Sequence, residues 1–235
     1  MATANQIKQI ETRLKLYKKK YLRKKYADLD ESATRIMINS LLTDVFGYTE
    51  LEEIKTEYRI RGEYADYVIQ LARKKHFVVE VKAVQLELSE KHLRQSIAYA
   101  ANEGIDWIIL TNGWQIQLHK VLFTKPIDTK QVLNLDLTDK TDFKKAADLL
   151  VLLSKKSVEK NELGQYWHRF EALEPNDLYK NLYSTEVIRF LRKVLKQNTG
   201  LFFAEEDILD SVHQIVTTKI ESPKPKQPLT VIKKK

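Results

Sequence analysis

The stretch YADYVIQLARKKHFVVEVKAV, from Tyr64 to Val84, is the most informative part of this chain. Its valine-rich second half predicts a strand that is buried on both faces. Glu80 and Lys82 are two residues apart in that strand, so their side chains leave it on the same face. Ionised groups in so apolar a run cost several kcal/mol unless something binds them. A divalent cation and a phosphate are the usual partners of a trio such as Asp66, Glu80 and Lys82.

The residue types in this stretch suit attack of water on a phosphodiester. Asp66 and Glu80 lie on strands predicted at about 64–71 and 76–83, and neighbouring strands allow both carboxylates to converge on one metal ion. The carbonyl of Val81 lies between them in the sequence and is a further candidate ligand. Lys82 would orient the attacking water or offset the charge that develops at the phosphate.

Composition excludes several other classes of site. The 235 residues are 43% apolar, which is enough for a real core, and none of them is cysteine. Disulfides, cysteine zinc sites and cysteine nucleophiles are therefore excluded, and a reducing cytoplasm suits the chain. The first twenty residues contain no apolar signal segment, and no apolar run approaches the roughly 18 residues of a transmembrane helix. We expect a cytoplasmic protein that does not bind a membrane.

The net charge of +8 is concentrated at the two ends of the chain. Residues 1–30 carry nine Lys or Arg and three Asp or Glu, and residues 219–235 carry six Lys and one Glu. Basic arms of this kind suit phosphate backbones, whose binding is electrostatic and independent of sequence. Solubility alone is the alternative explanation of the same charges. Nucleic acid is therefore one candidate partner.

The predicted elements follow the order helix, three strands, helix and further strands, with helices from about residue 142 onward. This order predicts an α/β protein with a mixed β-sheet core flanked by helices and a helical C-terminal region. The predicted parts are a basic amphipathic helix at 1–27, a core at 28–155, the helical region at 156–218 and a disordered basic tail at 219–235.

An apolar stripe runs along the first helix, at Ile7, Ile10, Leu14, Tyr17 and Tyr21. The alternating spacings of three and four residues place these side chains on one helix face. Two heptads are short for an independent coiled coil. We therefore expect this face to pack against the body of the protein, or against a second copy in a homo-oligomer.

Several motifs lie in a fixed order around the candidate trio. Ala65-Asp66 is followed after thirteen residues by Glu80-Val81-Lys82, then by a Q-x-x-x-Y pattern at 95–99 and a T-N-G-W turn at 111–114. This arrangement resembles the PD-(D/E)XK nuclease superfamily. It is most similar to the N-terminal nuclease domain of type I restriction enzyme R subunits. The similarity covers about residues 28–125, and more weakly the helical region that follows.

The resemblance implies a restriction-endonuclease-like fold and a set of site residues. The implied catalytic residues are Glu31, Asp66, Glu80, Lys82, Gln95 and Tyr99, with Asp66, Glu80 and Val81 as ligands of Mg²⁺, for which Mn²⁺ would substitute. Gln95 would orient the site or a substrate phosphate, but an ordinary polar helix position fits it too. Tyr99 fits the core equally well. Glu31 also fits a helix start, where the macrodipole favours an acid.

The expected function is that of an Mg²⁺-dependent endonuclease that cleaves DNA in a restriction-modification or defence role. One alternative is a catalytically silent nuclease-fold module that binds nucleic acid or assembles with a larger restriction complex. A further alternative is a subunit that cuts only inside such a complex, with other restriction-system subunits as partners. The residue types leave both DNA and RNA open as substrates.

Overall fold

A computed structural model describes residues 2–60 and 63–217, and the side chains of these residues except 57–64. The chain forms two compact units, Met1–Gln165 and Tyr166–Lys235. The first helix lies within the first unit. The predicted basic tail at 219–235 lies outside the described residues.

The first unit is built on a six-stranded sheet whose strands follow one another in sequence order. The strands are β1 (Ile54–Ile60), β2 (Glu63–Leu71), β3 (Lys74–Val81), β4 (Trp107–Thr111), β5 (Gln115–Leu122) and β6 (Asp128–Asp136). Strands β3 and β4 are parallel, and every other neighbouring pair is antiparallel. The predicted mixed sheet flanked by helices is confirmed.

Helices precede the strands of the sheet, interrupt them once and follow them along the chain. They are α1 (Ala4–Tyr21), α2 (Glu31–Ser40), α3 (Arg94–Glu103), α4 (Lys140–Leu150), α5 (Lys155–Glu159) and α6 (Glu162–Ala172), which spans the division between the units. Asp30 is the N-cap of α2, and its carboxylate accepts a hydrogen bond from the Ala33 backbone N–H at 2.8 Å. Gly104 ends α3 with φ +65°, which glycine adopts without steric cost. Within the described ranges, every helix is too short or too polar to span a bilayer.

The parallel pairing of β3 with β4 determines where the candidate site lies. Parallel neighbours need a crossover connection, and α3 supplies it. Val68 of β2 pairs with Val78 of β3, and both lie in a core cluster that includes residues of α3. Because alternate residues of a strand share a face, Glu80 lies on the face that α3 covers. Chain geometry thus places this carboxylate under the crossover helix.

The apolar stripe of α1 packs against the body of the first unit. Ile10, Leu14 and Tyr17 are buried there, and the Tyr17 hydroxyl donates to the Gly113 carbonyl at 3.0 Å. Lys18 Nζ also donates to the Leu137 carbonyl at 3.2 Å. The first of the two predicted packing modes is therefore observed. A homo-oligomer stays a prediction.

The second unit contains the helices α7 (Pro175–Leu182), α8 (Thr185–Thr199) and α9 (Glu205–Thr217). Ile188, Ile208 and Val212 form its small buried cluster, against which flanking apolar side chains of α8 and α9 pack. Gly200 ends α8 with φ +76°. This positive φ turns the chain back toward α9.

Candidate active site

The structure brings Asp66 and Glu80 together at the carboxyl end of β3. Asp66 Oδ2 accepts a hydrogen bond from the Val81 backbone N–H at 2.7 Å, which joins the carboxylate of β2 to the strand that carries Glu80. The side chains of Asp66 and Glu80 are only 9% and 7% exposed. Two carboxylates in so little solvent need cationic partners.

Lys82 is the first of these partners. Its Nζ donates to Glu80 Oε1 at 2.6 Å and lies 3.5 Å from Glu31 Oε2. Glu31 and Glu80 therefore share one ammonium group, and their nearest oxygens lie within about 6 Å of each other. Glu31 is the first residue of α2, so the start of this helix contributes an acid to the group. The structure thus brings together four of the predicted residues: Glu31, Asp66, Glu80 and Lys82.

Arg35 is the second cation, and the sequence motifs did not predict it. It stands one turn after Glu31 on α2, and its Nη2 donates to both Glu31 Oε1, at 3.0 Å, and Asp66 Oδ1. The Tyr67 hydroxyl donates to the Arg35 carbonyl at 2.9 Å and ties α2 to β2. The i, i+4 spacing from Glu31 is the signal in the sequence that points to Arg35.

Ser96 of α3 completes the surroundings of Glu80. Its hydroxyl is fully buried and donates to Glu80 Oε2 at 2.7 Å. Glu80 therefore uses one oxygen for Lys82 and the other for Ser96. Ser96 lies inside the Q-x-x-x-Y pattern, three residues after the buried Leu93 and four before the buried Ala100. That helical spacing is the signal that identifies it.

Burial and neighbouring charges shift the pKa values of Glu80, Lys82 and Arg35 in opposite directions. Burial raises the pKa of Glu80, and the hydrogen bonds from Lys82 and Ser96 offset only part of that rise. Burial lowers the pKa of Lys82, but the hydrogen bond and charge of Glu80 outweigh it, so the Lys82 pKa is raised overall. The same balance, with Asp66 as the main partner, raises the pKa of Arg35. Both cations therefore stay charged at neutral pH.

The two residues predicted from the Q-x-x-x-Y pattern lie elsewhere on α3. Gln95 is exposed and, within the described residues, makes no hydrogen bond to the four grouped side chains. Tyr99 is buried in the core cluster beneath α3, as the alternative interpretation expected. One helix position is about 100° of rotation, so the inward place next to Gln95 belongs to Ser96. Catalytic roles for Gln95 and Tyr99 stay predictions.

The predicted metal ligands provide oxygen donors, but they do not form a preformed metal-binding site. In the part of the chain that the structure describes, no group of three or more His, Asp or Glu is arranged to hold a metal ion. Arg35 and Lys82 stand among the acids instead. Each carboxylate oxygen has a second lone pair beyond the hydrogen bond it accepts. The donor set of Asp66, Glu80 and the Val81 carbonyl therefore fits Mg²⁺, which prefers oxygen and binds through one or two carboxylates.

A mixed sheet with an acid, an E-x-K strand and a crossover helix is similar to the restriction-endonuclease-like fold. Residues 30–132 match the family of the type I restriction enzyme R protein N terminus (HSDR_N). The resemblance to PD-(D/E)XK nucleases is confirmed over this segment, which contains every grouped side chain described above. The family indicates a nuclease or restriction role. Comparisons with curated proteins and with solved structures each found no match.

Proposed function

We propose that the chain is an Mg²⁺-dependent endonuclease that hydrolyses DNA phosphodiester bonds in a restriction or defence system. The observation that supports this most directly is the continuous series of contacts at the end of β3, which runs through Ser96, Glu80, Lys82, Glu31, Arg35 and Asp66. Three acids and two bases in one partly buried group are costly to maintain for stability alone. A charged substrate and a cation would give each of them a function.

In this proposal Asp66, Glu80 and the Val81 carbonyl hold Mg²⁺, with Mn²⁺ as a substitute. When bound there, the ion would lower the pKa of a bound water and stabilise charge on the phosphate. Ser96 fixes the orientation of the Glu80 carboxylate, whose Oε1 accepts from Lys82. Lys82 would donate an N–H hydrogen bond from Nζ to the attacking water or to a phosphate oxygen, for which a compact ammonium is suited.

Arg35 changes partner in the proposed reaction. The Arg35 guanidinium would leave Asp66 if a divalent cation bound there, and the fork of N–H donors on this guanidinium matches a phosphate in geometry. Arg35 is 33% exposed, so it has a path toward solvent and substrate. The residue would therefore neutralise Asp66 in the metal-free protein and contact DNA in the loaded one.

The proposed partners are DNA and, as the family's name suggests, other subunits of a restriction system. The test is cleavage of supercoiled plasmid with Mg²⁺ or Mn²⁺ by the wild type and by Lys82→Ala. We expect the variant to lose at least about a hundred-fold in rate, the range typical for a lost charge-stabilising donor. Lys120→Ala is the matched control, because Lys120 has similar side-chain exposure, 15% against 17%, and also pairs with a carboxylate at 2.6 Å.

The alternatives give different results in the same assay. A catalytically silent module would bind the plasmid but leave it intact in the wild type as well as in Lys82→Ala. A subunit that cuts only in a complex would become active on addition of its partner subunits, and the variant would stay inactive. Parallel reactions with RNA distinguish the two nucleic acids. Equal cleavage by the wild type and Lys82→Ala would contradict the assignment of the site.

A further inference from the structure

The exposed side of α8, in the second unit, is strongly basic. Its four cations follow spacings of three, one and three residues, which places them on one helix face. They are Arg189, Arg192, Lys193 and Lys196, and all four are exposed. A neighbouring side of the helix, with Ile188, Leu191 and Leu195, packs in the buried cluster of the unit. The cations are therefore held toward solvent by the packing of the helix that carries them.

An aromatic side chain lies beside this face. Phe202 follows the turn at Gly200 and is 76% exposed, with Lys196 Nζ 3.9 Å from the centre of its ring. The next residue, Phe203, packs against the buried cluster and so anchors the backbone at this point. Exposure of a whole phenyl ring sacrifices the burial free energy that such a ring normally contributes. The fold itself gives no reason for that ring to face solvent.

Only part of the positive charge is neutralised within the chain. Glu205 lies 3.1 Å from Arg192 and 3.7 Å from Arg189, and this carboxylate joins α8 to α9. Lys193 and Lys196 form no ion pair with any residue that the structure describes. A cavity of about 320 Å³ is lined by the four cations, Phe202, Phe203 and Glu205. The net charge of the cavity is positive, and the ring of Phe202, which is 76% exposed, forms part of its wall.

We propose that this surface, the α8 basic face with Phe202, binds single-stranded nucleic acid. Cations spaced along one helix track a phosphate backbone, and an exposed ring stacks with an unpaired base. A duplex offers the phosphates but keeps its base faces stacked inside, so Phe202 favours the single strand. The surface lies outside the segment 30–132 that matches the nuclease family, and binding here does not depend on cleavage.

The test is binding of a fluorescently labelled oligodeoxythymidylate of about 20 nucleotides to the full chain, followed by anisotropy in EDTA. The triple variant Arg189→Gln, Lys193→Gln, Lys196→Gln keeps the Arg192 to Glu205 pair that joins the helices. We expect at least ten-fold weaker binding at moderate salt. The slope of log affinity against log salt should fall by about 2, since each lost contact to a single strand removes about 0.7.

The matched control removes the same charge from α4, by Lys140→Gln, Lys144→Gln and Lys145→Gln, three exposed lysines. This variant should bind within two-fold of the wild type. Equal weakening by both triple variants would show only an effect of net charge, and would overturn the proposal. Circular dichroism of both variants shows whether the helical unit is intact.

A second variant separates a single strand from a duplex. Phe202→Ala should weaken binding to the oligodeoxythymidylate about ten-fold, as expected for one lost stacking contact, and change duplex binding less than two-fold. Phe123→Ala, which removes a 52% exposed ring from the first unit, is the control and should change neither. An equal loss for both nucleic acids, or none for the single strand, would overturn the proposal. Because EDTA removes the metal, failure here leaves the proposed nuclease site untouched.

Discussion

Ser96 supplies a single buried hydroxyl to Glu80, and that contact is sensitive to a small substitution. Ser96→Ala leaves Glu80 Oε2 without its donor at a side chain that is 7% exposed. Groups that orient a metal ligand typically contribute 10- to 100-fold in metal affinity or activity. We expect a loss of that size in Mn²⁺ affinity, measured by calorimetry without DNA, and in the cleavage rate.

Ser157→Ala is the control for this substitution. Ser157 is also fully buried, and its hydroxyl has no hydrogen-bond partner among the described residues. Removal of an unpaired buried hydroxyl costs little or is stabilising. Comparable loss of Mn²⁺ affinity in both variants would mean that Ser96 acts through packing rather than through Glu80.

Substitution of Arg35 should strengthen metal binding and weaken cleavage. Arg35→Gln takes away the cation that competes for Asp66, so Mn²⁺ should bind several-fold more tightly without DNA. Cleavage should fall, because the proposed contact to phosphate is lost. Arg94→Gln, an exposed arginine on α3, should alter neither quantity. Weaker Mn²⁺ binding in Arg35→Gln would contradict a competing role.

At the scale of elements, the T-N-G turn between β4 and β5 is a structural clamp. Asn112 Nδ2 donates to the carbonyls of Val84, at 3.2 Å, and Leu86, at 3.0 Å. Its Oδ1 accepts the backbone N–H groups of Trp114 and Gln115 at 3.1 and 2.7 Å. One side chain thus joins the turn to the segment that directly follows Lys82.

Loss of this clamp should destabilise the first unit. Asn112→Ala leaves buried backbone groups unpaired on both sides of the turn, and we expect the free energy of unfolding to fall by about 2 to 4 kcal/mol. Urea denaturation followed by circular dichroism measures it. Asn134→Ala removes an exposed amide that accepts one side-chain hydrogen bond, so its effect should stay within about 0.5 kcal/mol. Similar midpoints for the two variants would refute the clamp.

The strands were more predictable than the helix faces. Alternation along a strand fixes which residues share a face, so the convergence of Glu80 with Lys82 followed from their spacing alone. Helix positions differ by about 100°, and tertiary packing decides which of them points to a site. The Q-x-x-x-Y pattern pointed to Gln95, whereas the hydrogen bond to Glu80 comes from its neighbour Ser96. Arg35 was missed because its partner Asp66 comes from a strand 31 residues away.

At the scale of the whole molecule, α1 is part of the first unit rather than an independent arm. Leu14 is 1% exposed at the centre of its buried stripe, whereas Leu16 on the same helix is 64% exposed. Leu14→Ala should lower the free energy of unfolding by about 2 to 5 kcal/mol, the usual cost of that cavity. Leu16→Ala should change it by less than about 0.5 kcal/mol.

Sedimentation of the same two variants tests the assembly of the protein. If α1 packs only within its own chain, neither substitution changes the oligomeric state of the folded protein. Dissociation of an oligomer by Leu14→Ala would show that the stripe serves a second copy after all. The sequence predicted both packing modes equally, because an apolar face does not specify which surface covers it.

The hydrogen bond from Tyr17 to Gly113 has a consequence for biosynthesis. Its two residues are 96 positions apart, and the contact of Lys18 with Leu137 spans 119. Helix α1 is synthesised well before Gly113 and Leu137, which accept these two hydrogen bonds. Helix α1 can therefore dock only after the sheet has emerged, and its aromatic and aliphatic stripe stays accessible to chaperones until then.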